Sequence, residues 1–388
     1  MIKVHKAISN DKDSRVAGRQ LGEDMRLAFD GAAPDAIVVF ASAQHDHEQM
    51  LAALCDASGC ELIVGSSSAG EFTSESRGEG AISAMALRSS DMRFAIGLGR
   101  EISADPAGAA AQVVRQFRGL AGSPLPYRSA LVMTDALAGH SDALVEELTL
   151  ATGGTYQFFG GGAGDDGRFQ QTHVFAGRQA VTNAVVALEI LSEKPVGVGV
   201  SHGWEPSGEG MRVTESHSMT IVSLNGLPAV DAFTDYAQAT GQRFDRNEPV
   251  PFFLHNVLGI RSGETYRLRV PLTVNDDGSV ACAAPVPEGA IVHVMKTTAQ
   301  SAVTAARNAA NSALQALDGH KPGAAFLFDC VATRLRMGGA FDDELQACAN
   351  LMGPGGFVGC NTYGQIARAE GQFGGFHNCT AVACVLPD

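Results

Sequence analysis

AIVVFAS (36–42), HEQMLAALCDASG (47–59), ELIVGSSSAGEF (61–72) and GAISAMAL (80–87) form the stretch that decides the fold. The first, third and fourth segments are short apolar runs of β-branched and aromatic residues bounded by Gly, Ser and Asp, which is strand chemistry. The second spaces Leu, Met and Ala at three and four, the period of a helix with one buried face. The order is strand, helix, strand, glycine turn, strand. It recurs as SALVMTD (129–135), SDALVEELTLATGG (141–154), YQFFGGGAGDD (156–166) and NAVVALEIL (183–191). It recurs again as AAFLFDC (324–330), FDDELQACANLMG (341–353), GFVGCNTYGQI (356–366) and NCTAVACVL (378–386). The copies are long and differ from one another, so they read as duplicated domain halves and not as a solenoid.

This pattern predicts an α/β protein: two domains of mixed sheets covered by helices, built from repeated β-α-β-β units. A different region separates the second and third units. PVGVGVSHGW (195–204) reads as a strand ending in a turn. SMTIVSLNGLPAVDAFTDYAQAT (218–240) reads as a strand, an Asn-Gly turn and a helix begun near Pro228. YRLRVPLTVNDDGSVACAAPV (266–286) reads as a hairpin about Asp277–Gly278. SAVTAARNAANSALQAL (301–317) is an Ala-rich helix with Ser301 as its cap. A boundary near 215 divides the chain into domains 1–215 and 216–388.

The chain has 388 residues and a formal net charge of -14. An acidic surface repels phosphate backbones, and the basic residues are scattered, so nucleic acid is not an expected partner. The N-terminal residues lack the apolar core of a signal peptide, and no segment reads as a membrane span. A cytoplasmic location without membrane insertion is the expectation. The eight cysteines form no CxxC pair and read as small buried hydrophobes.

The glycine turns VGSSSAGE (64–71), FGGGAGDD (159–166) and VGCNTYGQ (358–365) each follow a strand. Backbone amides without a Cβ nearby can approach a ligand closely, as at Gly161 and Gly162. None of the turns is a Walker A loop. Their equivalent positions predict that at least two border one cavity, and that the largest cavity touches them. His202 ends the apolar strand before Gly203 and Trp204, where an imidazole could face a cavity and bind iron, and an ordinary satisfied histidine fits equally well. His140 follows a strand with Ser141 as a helix cap. His45 and His47 read as a solvated loop sooner than as a metal pair. Cys360, Tyr363 and His377 surround the third turn. A thiol near an imidazole is raw material for nucleophilic or ligand chemistry, but no orienting carboxylate is evident. Asp165 and Asp166 read as turn aspartates.

VGSSSAGEF, FGGGAGDD, GVGVSHGW with RVTES, SLNGLPAVDAF and the terminal VGCNTYGQI and FHNCTAV resemble, in order, the signatures of FIST N and FIST C domains. The resemblance implies a bacterial sensor of a small molecule in signal transduction, not an enzyme. The chain is similar to the NosP-type branch, which implies heme b, nitric oxide as the sensed ligand and a histidine kinase as partner, and allows a homodimer. His202 is then the first choice of metal ligand, with His140 and Cys360 behind it and Trp204 as a porphyrin wall. Many relatives carry Gly-Glu in the third turn, where this chain has Gly364-Gln365. Two alternatives differ in class: a non-haem module that senses a metabolite such as an amino acid, and an enzyme using Cys360.

Overall fold

In a computed structural model that describes residues 1–368 and 375–388, each repeat forms the expected β-α-β-β unit. Strand Ala36–Ser42 leads through helix His47–Ser58 to the parallel strand Ile63–Ser68, and Ile82–Ser89 returns antiparallel. The second unit does the same with Tyr127–Thr134, Ser141–Ala151, Gln157–Gly162 and Ala184–Ser192. The third uses Pro322–Cys330, Phe341–Ala349, Phe357–Thr362 and Ala381–Pro387. The strands are buried almost end to end because one face meets helices and the other meets a core shared by all three sheets. There Phe40 meets Phe328 edge-on at 5.6 Å and Phe159 stacks near Phe326 at 6.1 Å.

Two features extend the repeat. Each unit begins with a further strand and helix: Ile2–Ser9 with Ser14–Ala28, Met92–Arg100 with Pro106–Arg115, and Gly197–Ser201 with Ala299–Gln315. The strand after each glycine turn also leaves its own unit. Glu71–Thr73 pairs with Phe357–Thr362, Val174–Ala176 with Ile63–Ser68, and Gln365–Arg368 with Gln157–Gly162. This cyclic exchange completes three six-stranded sheets and binds the units into one ring.

Between Gly197–Ser201 and Ala299–Gln315 lies an antiparallel sheet of eight strands, with helix Ala229–Thr240 packed on it through Phe233. Its turns follow the expected chemistry. Asn225 and Gly226 both take positive φ (51° and 81°), as a two-residue hairpin turn requires. Gly278 (φ 82°) turns the hairpin after Asp277. Position 215 falls within strand Glu205–His217. The sheet is clamped to the second unit by Asp142, which accepts from Arg267 at 2.6 Å and Arg269 at 3.1 Å.

Two capping expectations shift. The Ala-rich helix starts at Ala299, capped by Thr298, and Ser301 returns the bond to the Thr298 N–H at 2.9 Å as a capping box. At the second-unit helix, His140 takes the cap position with φ 59° and no capping side-chain bond, so Ser141 is the first helical residue.

Candidate functional site

The exchanged strands bring the three glycine turns together. Ala69 donates to the Asn361 carbonyl at 3.0 Å and Asn361 donates to Gly70 at 2.8 Å. Gly162 donates to Gly364 at 2.9 Å, and Tyr363 donates to Gly162 at 2.9 Å. Gly164 and Asp166 donate to Ser67 and Ser68, each at 3.0 Å. Much of the amide capacity expected for a ligand is thus used to join one turn to the next. The first glycine of each turn has a packing cause. A Cβ would stand 1.7 Å from the Val39 oxygen at Gly65, 2.1 Å from that of Val132 at Gly160, and 1.9 Å from that of Leu327 at Gly359. Gly161 and Gly162 are also held against the third turn, where a Cβ would meet the Gly364 and Tyr363 oxygens at 2.8 and 2.5 Å.

The last residue of each turn is polar: Glu71, Asp166 and Gln365. Glu71 accepts from Ser68 Oγ and from the Ala81 N–H, and Gln365 makes the matching pair of bonds with Thr362 and the Thr380 N–H. Gln365 therefore replaces a carboxylate without leaving the network unsatisfied. Burial pushes the Glu71 carboxyl up to about 8 despite its Ser68 bond. Asp166 accepts from Ser42 at 2.9 Å. Asp165 accepts three N–H groups, from Phe169, Gln170 and Gln171, as a turn aspartate should.

The first and third turns border a cavity of about 220 Å³ among Gly70, Glu71, Phe72, Arg334, Phe341 and Asn361. Asn361 is 1% exposed, yet neither its amide nitrogen nor its amide oxygen has a partner. Arg334 reaches the Ala69 carbonyl and pairs with Glu79 at 2.7 Å. Two turns thus border one cavity, as expected. A second groove, about 350 Å³ between helices Ala299–Gln315 and Phe341–Ala349, touches none of them. The sequence reading missed Asn361 and Arg334. An Asn beside Cys360 in a strand looks like ordinary turn chemistry, and Arg334 lies far from the turn in sequence.

The remaining candidates lie apart. His202 has both ring nitrogens engaged by backbone: Nε2 donates to the Tyr266 carbonyl at 3.0 Å, and Nδ1 accepts from the Trp204 N–H at 3.3 Å. Burial lowers its pKa, so it is held neutral, but an iron ligand needs one free nitrogen. Trp204 is buried, with the Arg336 guanidinium 5.4 Å over its ring. His140 is exposed. Cys360 lies in the core shared by the three sheets, where burial and then the Glu71 charge push its thiol well above the usual range. Tyr363 donates to Asp165 and stacks on Phe169 at 4.3 Å. His377 lies in a different sheet from Cys360 and donates to the Ala367 carbonyl of its own sheet at 3.0 Å, and burial lowers it to about 4. His202 and His377 each commit a ring nitrogen to a backbone carbonyl. His45 and His47 are buried, not solvated: His45 bonds Gly80 and Ser14, and His47 bonds the Ser42 carbonyl. Among the described residues no group of three or more His, Cys, Asp or Glu side chains could hold a metal.

No curated protein matches the chain. Among solved structures, a cyanuric acid hydrolase from A. caulinodans aligns over 100% of this chain and 99% of that one. The identity is 11% and the TM-score 0.34, too low to support any inference about activity. Residues 35–227 match the FIST N domain and residues 229–368 match the FIST C domain. FIST domains are signal-transduction sensors of small ligands. With both halves matched in order, the chain belongs to the FIST family.

Proposed function

We propose that this FIST chain senses a small polar ligand held in the cavity between the first and third turns. The observation that carries this reading is the buried, unpartnered amide of Asn361. Leaving a buried polar group unsatisfied costs about 1–3 kcal/mol, which a ligand bond would recover. The amide offers both donors and an acceptor, Arg334 offers a cation, and Glu71 carries a proton below about pH 8. Phe72 and Phe341 form an apolar wall. The site suits a small molecule with a carboxylate or carboxamide head, an amino acid among them. Ligand binding would fasten the exchanged hairpin of the first unit to the helices of the third, a seam already crossed by the Arg77–Asp342 ion pair.

The test is a thermal-shift panel of small carboxylates, carboxamides and amino acids on wild type and Asn361→Ala. A true ligand at about one hundred times its Kd should stabilise wild type by about 2.7 kcal/mol and leave the variant unchanged. A panel without any shift, or a shift that survives in the variant, would sink the proposal.

The haem and nitric-oxide reading is supported by the family branch alone and would require His202 to release the Tyr266 carbonyl or the Trp204 N–H. A hemin titration is therefore expected to give the spectrum of unbound hemin. A shifted, intense band in wild type that disappears in His202→Ala would restore haem. A histidine kinase as receiver and a cytoplasmic location stay part of the proposal through the family branch. No helix among the described residues is long and apolar enough to cross a membrane. A cysteine nucleophile has little support, since the Cys360 thiol is fully buried and held protonated.

A further inference from the structure

The repeats allow an internal comparison. Met50, Leu144 and Glu344 each stand three residues after the first residue of the equivalent helix, and each is 0% exposed. Ala41, Thr134 and Asp329 occupy one strand position, facing Ser67, Gly162 and Asn361 in the parallel ladders. The first unit fills this place with Ala41 and Met50, and the second with Thr134 and Leu144. The third fills it with two acids.

Burying a charge costs several kcal/mol unless it is paired, and no described ion pair includes Asp329 or Glu344. Asp329 Oδ1 and both Glu344 carboxyl oxygens lack partners when the groups are ionised. Yet the two buried side chains lie close enough for each to act on the ionisation of the other. Two carboxylates offer each other only acceptors, so the contact requires a proton between them. An acid pair at a position that the sister units fill with uncharged residues, Ala41 with Met50 and Thr134 with Leu144, departs from the packing rule the fold otherwise keeps, and such departures concentrate at functional sites.

We propose that Asp329 and Glu344 form a proton-binding site that holds one shared proton, and that losing it loosens helix Phe341–Ala349 from the third sheet. The placement ties this site to the ligand cavity: Phe341 begins that helix, Asn361 faces Asp329, and both line the cavity. The link to sensing rests on the ligand reading above, whereas the proton site itself does not. Burial drives both carboxyls above their ordinary range, and the Asp329 charge adds to the effect on Glu344. The groups facing the pair are few. Arg336 opposes the rise from helix Val331–Met337. Thr333, also buried, holds the Asp329 carboxyl down a little. Cys330, Cys348 and Cys379 lie close, with Cys348 and Cys379 held protonated.

The linkage sign follows. Unfolded carboxyls titrate near 3.8 and 4.5, so above that range the native state keeps a proton that the unfolded chain releases. Stability is then fullest at acid pH and falls as pH rises towards the folded values, by up to about tenfold in the folding equilibrium per pH unit. The experiment compares wild type, Glu344→Met and Glu344→Gln by infrared spectroscopy and by urea unfolding from about pH 5 to 9. Glu71→Gln serves as a control, because Glu71 also holds a proton below about pH 8. We expect a protonated-carboxyl band in wild type at neutral pH that weakens in Glu344→Met, together with a flatter stability profile. Glu344→Met, which copies the sister unit, should be the more stable protein at high pH. An identical acid band, or an identical pH slope, in wild type and both Glu344 variants would overturn the proposal. If Glu344→Met fails to fold, the band in wild type against Glu344→Gln decides. A ligand panel that fails leaves this result standing, and Asn361→Ala should keep the acid band, so the two readings fail separately.

Discussion

Gly65→Ala is expected to cost more than about 4 kcal/mol, the range reserved for disruption of the fold itself. The new Cβ would lie 1.7 Å from the Val39 carbonyl oxygen and 2.7 Å from its carbon. Both atoms are backbone of the parallel neighbour, which also pairs with Ile82–Ser89 on its other edge and cannot withdraw without tearing both ladders. Gly359→Ala should behave likewise, because its Cβ would stand 1.9 Å from the Leu327 oxygen. Gly339→Ala is the control: nothing lies within 4 Å of its added carbon. Urea unfolding of the three variants checks this. A Gly65→Ala protein as stable as Gly339→Ala would show that the glycine is there for a ligand and not for packing.

Asp142→Ala is expected to cost about 3–5 kcal/mol, because it leaves a buried guanidinium without its counter-charge. Arg269 is 1% exposed, and it keeps only the Pro285 and Leu268 carbonyls when Asp142 is lost. Burial already lowers the Arg269 pKa to about 10, so the group still carries its charge at neutral pH. Arg267→Ala should cost only about 0–1 kcal/mol, since its side chain is 32% exposed and solvent screens the pair. Combining Asp142→Ala with Arg269→Met should recover part of the loss, which a double-mutant cycle measures. Loss confined to one of two unfolding transitions would show that the clamp holds the inserted sheet and not the ring. Equal effects of Asp142→Ala and Arg267→Ala would contradict the burial argument.

The candidate site was only half legible in the sequence. The glycine turns were visible as motifs, and two of them do border a cavity. Their meaning was not visible, because a glycine that admits a ligand and one that admits a neighbouring carbonyl look alike in one dimension. His202 stood out for its Gly and Trp neighbours. Its two backbone bonds come from Tyr266 and Trp204, and the first lies on a distant strand that only folding brings close. Glu344 and Asp329 were passed over for the opposite reason. A Glu in an amphipathic helix is ordinarily solvated, and only the superposition on Met50 and Leu144 shows that it points into the core.

Local chemistry was enough to determine the elements: the three β-α-β-β units, the Asn225–Gly226 and Asp277–Gly278 turns, and the buried cysteines. Each follows from periodicity, turn conformation or composition within a short window of chain. The tertiary structure alone decided how those elements are shared. The strand after each glycine turn could have closed its own sheet, and its few residues carry nothing that names a partner. Backbone hydrogen bonds are chemically the same in either sheet, so the choice depends on where three packed cores leave an edge unpaired. The exchange, the meeting of the turns and the burial of Asp329 with Glu344 all follow from that closure, which no local pattern encodes.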